Sequence, residues 1–177
     1  MNLYKIIETI PDFPIPGVQF KDISSILANP EAFKYSVDSM IAYCRSINAT
    51  KVIGVESRGF IFGTPIAREL ALPFVMTRKP GKLPGKTHRK EYDLEYGTAC
   101  LHIQVNTNIV PTDTVVIIDD LIATGGTAVA SADLVHENFG VPKDNISILA
   151  LIDLIDLQGS AIIKDNGYSV KTLMEFG

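Results

Sequence analysis

The stretch "VVIIDDLIATGGTA", Val115–Ala128, decides the fold. Four β-branched aliphatics run into two adjacent carboxylates, Asp119 and Asp120, and a Thr-Gly-Gly-Thr turn follows. An apolar run with no wet side is the pattern of a strand buried on both faces, as in a parallel sheet covered by helices. Side chains alternate along a strand, so two neighbouring acids cannot both stay in the core and must emerge at the rim. Open parallel sheets bind ligands at that rim, outside the carboxyl ends of their strands. Past the turn, Val129, Ala132, Val135 and Phe139 recur at helical spacing until Gly140 and Pro142 stop the helix. The N–H groups of a helix start point at an anion, and glycine lets the anion come close to the main chain. Thr124 and Thr127 add hydroxyl donors. A phosphate in such a turn, with vicinal hydroxyls beside it on the two acids, describes a ribose 5-phosphate. The stretch lacks the terminal Gly-Lys-Ser/Thr of a P-loop and the dinucleotide G-x-G-x-x-G.

Working outward, "KVIGVES" (51–57) reads as a short buried strand ending in a turn, Ile61–Leu72 as a helix and "LPFVMT" (72–77) as the next strand. Asn29-Pro30-Glu31 reads as a helix start, followed by Phe33, Val37, Met40, Ile41 and Cys44 at helical spacing. "TACLHIQV" (98–105) alternates like a strand with one wet face, "ISILALIDL" (146–154) is another apolar strand, and "YSVKTLMEF" (168–176) adds an edge strand. Residues 79–97, "KPGKLPGKTHRKEYDLEYG", are rich in Pro, Gly and charge and read as a long loop, a candidate lid. The expected fold is a single α/β domain: a mostly parallel central sheet flanked by helices.

At 177 residues one domain with a full core is expected, and 46% apolar with 20% charged residues is ordinary globular composition. The net charge of −4 argues against a nucleic-acid surface, so any anion site must be local. Cys44 and Cys100 read as buried thiols of a reducing compartment rather than a disulfide or metal pair. The opening "MNLYKIIETIPDFPIPG" carries no long apolar run, so neither signal peptide nor membrane span is expected and the cytoplasm is the default. His88 falls in the loop, and His102 and His136 read as surface or structural groups.

"VVIIDDLIATGGTA" resembles the phosphoribosyl-diphosphate motif of the type I phosphoribosyltransferases. "FPIPGVQFKDISSIL" (13–27), "GVESRGFIFG" (54–63), "RKPGKLPGK" (78–86) and "YDLEYGT" (92–98) resemble, in order, segments of the adenine-specific branch of that family. The resemblance spans most of the chain. It implies the type I fold with a small hood at residues 1–28 and a lid at 79–97. It also implies a reaction, adenine plus 5-phosphoribosyl 1-diphosphate giving AMP and diphosphate, in a homodimer without nucleic-acid or membrane partners. Asp119, Asp120, Ala123, Thr124, Gly125, Gly126 and Thr127 would hold the ribose phosphate. Ser57, Arg58, Gly59, Arg78, Lys79 and Lys82 would hold the diphosphate. Val18, Phe20, Lys21 and Leu121 would frame the base, and Glu95 with Arg58 would be catalytic. Mg²⁺ would arrive mainly on the substrate diphosphate, with no dedicated protein ligands and Asp119 in reach through a water. Lys21 stands where many relatives have arginine and Ser57 where alanine is common; lysine keeps the charge but loses the planar fork. A phosphoribosyltransferase for a 6-oxopurine, and a regulatory protein with this fold and no catalysis, are the two alternatives weighed.

Overall fold

The computed structural model describes residues 1–94 and 97–177. The chain opens with a hairpin, β1 (Glu8–Pro11) against antiparallel β2 (Gln19–Asp22), followed by a short turn of helix, α1 (Ser24–Leu27). Helix α2 (Pro30–Ser46) starts as expected at Asn29, whose side-chain oxygen accepts the Glu31 and Ala32 N–H groups, each at 3.1 Å. Such a cap contributes about 1 kcal/mol. Then come β3 (Lys51–Val55), α3 (Gly59–Leu70) and β4 (Phe74–Arg78), followed by an antiparallel pair, β5 (Thr87–Leu94) and β6 (Gly97–Gln104). The last third is β7 (Val115–Ile122), α4 (Gly126–Phe139), β8 (Ile146–Leu154), α5 (Gly159–Asp165) and β9 (Ser169–Phe176).

Seven strands form one sheet in the order β5-β6-β4-β3-β7-β8-β9, parallel from β4 to β9 and antiparallel at β5 and β6. Val115–Ile118, fully buried, show why the opening run is uniformly apolar. Val116 and Ile118 pack on the side of α2 and α3, with Met40 and Phe62. Val115 and Ile117 pack on the side of α4, with Leu134 and Val135. Both faces of the strand are therefore covered, as the sequence requires. Cys44 lies in the first of these layers, where burial pushes its thiol up to about 12, so it stays protonated and inert. Cys100 is free and half-buried.

The reading of 79–97 as one loop needs correction: Thr87–Leu94 is a full strand, eight residues paired with β6, and among the described residues of this stretch the irregular part is 79–86. Its alternation is carried by His88, Lys90 and Tyr92 on one face and by Arg89 and Glu91 on the other. Long charged and aromatic side chains with apolar stems stand where aliphatics would have announced a strand. The three histidines are structural: His88 sets its ring against Phe139, His102 meets Thr87 Oγ1 at 2.9 Å, and His136 meets the Val141 carbonyl at 2.8 Å.

Candidate active site

The connections run from β3 through α3 to β4 on one side, while β7, β8 and β9 build the other side. That reversal opens a crevice beyond the carboxyl ends of β3 and β7, where doubly wound sheets bind ligands. A cavity of about 440 Å³ lies there, and it gathers the turn after β3, the turn after β7 and Lys79 at the end of β4. Asp119, Asp120, Leu121, Ala123, Thr124, Gly125, Gly126, Thr127, Ser57, Arg58 and Lys79 all line it, so much of the expected site is brought to one place.

The turn after β7 carries Gly125 at φ +83°, a left-handed conformation that favours glycine, and no side chain caps the first turn of α4. The amides there are left to face the cavity, so the turn is a ready anion cup. The glycine has a second reason that the sequence did not reveal. A Cβ on Gly125 would lie 2.6 Å from the Gly159 carbonyl oxygen, and one on Gly159 would lie 2.1 Å from the Ala123 carbonyl oxygen. The start of α5 is thus pressed into the inner side of the turn, backbone on backbone. The close approach to phosphate expected from the sequence concerns the outer side of the turn only.

Asp120, 4% exposed, accepts from Arg58 Nε at 2.7 Å, an ion pair that spans the crevice from β7 to the turn after β3. The pair fixes the Arg58 guanidinium at the cavity wall while half of that side chain stays exposed. One Asp119 oxygen accepts the Asp120 N–H at 2.9 Å. Burial, reinforced by the Asp120 charge, holds the Asp119 carboxyl well above the usual carboxylate range. Hydroxyls bonded to the ionised form would release that proton. The affinity for ribose 5-phosphate, measured without metal, is therefore expected to fall as pH drops through the raised Asp119 value. Comparison with Asp119→Asn separates this limb from the phosphate's own second ionisation near pH 6; identical profiles would remove Asp119 from the diol.

At the end of β3 the Glu56–Ser57 peptide bond is cis. Gly59 does not reach the cavity. A Cβ there would lie 2.3 Å from the Ile118 carbonyl oxygen, so its role is to seat α3 on β7. Arg78, expected on diphosphate, is instead engaged by Glu56: Nε and Nη2 donate to the two carboxylate oxygens at 3.2 and 3.1 Å, and Nη1 donates to the Lys82 carbonyl at 3.1 Å. Glu56 also accepts the Lys79 N–H at 2.9 Å, which sets Lys79 at the rim. The Arg78 side chain holds the Glu56 carboxyl below its ordinary value. Lys82 is exposed and does not line the cavity. The cations at the cavity are therefore Arg58 and Lys79. Sequence reasoning missed Glu56, although Val55 and Thr77 are register partners and the next pair along is Glu56 and Arg78.

The hood residues sit apart from the cavity lining. Phe20 packs edge-on against Phe13, centroids 5.0 Å apart, and Val18 N–H donates to the Ile15 carbonyl at 3.3 Å. Lys21 is occupied, with Nζ donating to Thr9 Oγ1 in the hood at 3.0 Å and lying 4.5 Å over the ring of Phe176 at the end of β9. Asp22, at the end of β2, accepts the Ser24 N–H at 2.9 Å, a bond that holds its carboxyl below the ordinary value, with the Arg58 charge adding to it. Glu95 and Tyr96 lie outside the described residues. Among the described residues no three His, Cys, Asp or Glu groups converge as a metal cage, and no helix is long and apolar enough to cross a membrane.

Residues 22–154 match the model of the phosphoribosyl transferase domain. The chain is 43% identical over 176 residues to the adenine phosphoribosyltransferase of Mycoplasmopsis agalactiae, covering 99% of this chain and 100% of that one. Its fold superposes with a TM-score of 0.91 on the APRTase of Giardia lamblia complexed with 9-deazaadenine, at 35% identity, covering 98% and 96% of the two chains. With the adenine phosphoribosyl transferase of Trypanosoma brucei, in complex with AMP, pyrophosphate and ribose-5-phosphate, the TM-score is 0.85 at 27% identity, covering 97% and 76%.

Proposed function

The chain belongs to the adenine phosphoribosyltransferases of the phosphoribosyl transferase domain family, and on that premise we propose how its residues divide the work. The reaction joins adenine to 5-phosphoribosyl 1-diphosphate and gives AMP and diphosphate. The bond from C1′ to the diphosphate oxygen breaks, the diphosphate leaves with the electron pair, a bond from N9 forms, and N9 loses its proton. Positive charge builds on the sugar and negative charge on the leaving group, so fixed donors and cations around the diphosphate lower the barrier. The observation that carries the reading is the facing of the 123–127 turn and its two acids across one cavity from Ser57, Arg58 and Lys79.

In this reading the turn holds the 5-phosphate, Asp119 and Asp120 hold the diol, and the amides of the turn after β3 with Arg58 and Lys79 receive the diphosphate. Arg78 acts one step back by neutralising Glu56. Mg²⁺ supplies charge neutralisation when it enters on the diphosphate; Asp119 at the cavity suits contact through a water, in keeping with a cation that retains its hydration. Glu95 takes the N9 proton in this reading. Glu95→Gln should then lower kcat about a hundred-fold with little change in KM; a selective rise in the adenine KM would make it an orienting group instead. The two free thiols suit the cytoplasm, and the resemblance supports a homodimer, which sedimentation of the purified chain would check.

Leu121 lines the cavity; in this reading Phe20 stacks on the base from the hood, giving it an apolar slot. With Val18 N–H engaged, its carbonyl is the group that accepts from a 6-amino donor, and a 6-oxo group there would set two acceptors face to face. Phe20→Ala should raise the KM for adenine about ten-fold and leave that for the sugar diphosphate unchanged, because only one substrate loses a stacking partner. A rise in both would place Phe20 in the fold of the hood alone. Diphosphate release should be measured with adenine, hypoxanthine, guanine and xanthine in turn. Turnover with adenine is expected; turnover with a 6-oxopurine and none with adenine would overturn the base assignment, and none with any would favour a regulatory protein.

A further inference from the structure

Strand β5 is fastened along helix α4 by alternate side chains. His88 sets its ring edge-on to Phe139, Lys90 Nζ reaches Glu137 at 2.6 Å and Asp133 at 2.9 Å, and the Tyr92 hydroxyl lies 3.1 Å from Thr127 Oγ1. Residues 88, 90 and 92 share one face of the strand, and their partners step back along α4 from its last turn to its first. Burial works against the Lys90 charge, but the bonds to Glu137 and Asp133 outweigh it and hold the ammonium above the ordinary lysine value. Asp133 is itself held from the other side by the Tyr168 hydroxyl at 2.6 Å. The hairpin is therefore bolted to the helix that begins at the phosphate turn.

The last bolt falls inside the site. Thr127 lines the cavity, and Tyr92, half-buried, packs its ring on the core beneath α4. A threonine hydroxyl has one proton to give. A phosphate dianion only accepts, so Thr127 must donate to it, and the bond with Tyr92 then has one possible direction. Tyr92 donates, Thr127 accepts and passes its own proton bond on to the phosphate. Bonds chained in this way strengthen one another.

We propose that Tyr92 is a positioning residue for the phosphoribosyl substrate, aiming the Thr127 hydroxyl at the 5-phosphate and tying occupancy of the phosphate turn to the seating of the β5–β6 hairpin. This rests on the reading of the 123–127 turn as the phosphate site. The two bolts deeper in the hairpin keep the strand in register without Tyr92, so the hydroxyl can be removed while the ring and the fold stay.

The test is calorimetric binding of ribose 5-phosphate to the full chain and to Tyr92→Phe, Thr127→Val and the double variant. Steady-state KM values and hydrogen exchange of the β5 amides complete it. Tyr92→Phe should weaken ribose 5-phosphate about five-fold, raise the KM for 5-phosphoribosyl 1-diphosphate alike and leave that for adenine unchanged. Thr127→Val should weaken it further, and the double variant should bind no worse than Thr127→Val alone. Ribose 5-phosphate should slow β5 exchange in the parent chain and not in Tyr92→Phe. Parent-like binding by Tyr92→Phe beside weakened binding by Thr127→Val overturns the role of Tyr92 and leaves the phosphate turn standing. Parent-like binding by Thr127→Val overturns both. A fall in thermal midpoint with equal rises in both KM values makes Tyr92 a packing residue only.

Discussion

Gly125→Val should cost kcat/KM at least about a hundred-fold and should also destabilise the fold. Two effects combine. The backbone at Gly125 has φ +83°, where a β-branched residue is strained, and the new Cβ would lie 2.6 Å from the Gly159 carbonyl oxygen. Strain in the left-handed region and overpacking together cost roughly 3–5 kcal/mol, and for a chain of this size that lowers the thermal midpoint by about 10 °C. Backbone cannot retreat as a side-chain tip would, so the turn must open or α5 must shift. Either movement disperses the amides that face the cavity; in the proposed site each of their bonds to the phosphate is worth about 1.5–3 kcal/mol, so losing two reaches the stated rate loss. Activity and thermal melting of the same preparation separate the two effects. Parent-like values of both would mean that the tight contact with Gly159 does not shape the turn.

Asp120→Asn should lower kcat/KM by roughly two to three powers of ten, with the KM for the sugar diphosphate rising. The substitution keeps the shape of a side chain that is 5% exposed but removes the charge that Arg58 Nε meets at 2.7 Å. In the proposed arrangement two charged hydrogen bonds weaken, one to Arg58 and one to the ribose diol, each of about 1.5–3 kcal/mol. Arg58 is half-exposed, so water screens much of what it loses and the penalty falls on substrate binding more than on folding. Kinetics equal to the parent chain would take Asp120 out of the sugar site.

The parts of this site that sequence disclosed are those whose chemistry is local. The paired acids, the glycine turn and the helix after it are contiguous, and period-two alternation is enough to put Asp119 and Asp120 at a rim. The sheet followed from uniformly apolar runs, since Val115–Ile118 can be dry only with helices on both sides. What escaped depends on pairs distant in the chain. Glu56 reads as a turn residue until β3 and β4 are in register, when it becomes the partner of Arg78 and the seat of Lys79. Gly159 lies 34 residues beyond Gly125, and no local pattern announces that one is pressed against the other. Strand β5 escaped because its inward face is built from His88, Lys90 and Tyr92, whose polar tips disguise the alternation. Arg78 and Lys82 were grouped with Lys79 on charge alone. Geometry separates them, since one cation faces the cavity, one is neutralised behind it and one is exposed.

A crystal structure with AMP bound tests the assignment of the turn most directly. The phosphate oxygens should lie about 3 Å from the amide nitrogens of the 124–127 turn and from Thr127 Oγ1, with the ribose hydroxyls on the carboxylates of Asp119 and Asp120. AMP ordered in the crystal with its phosphate away from this turn and its ribose away from both acids would contradict the account.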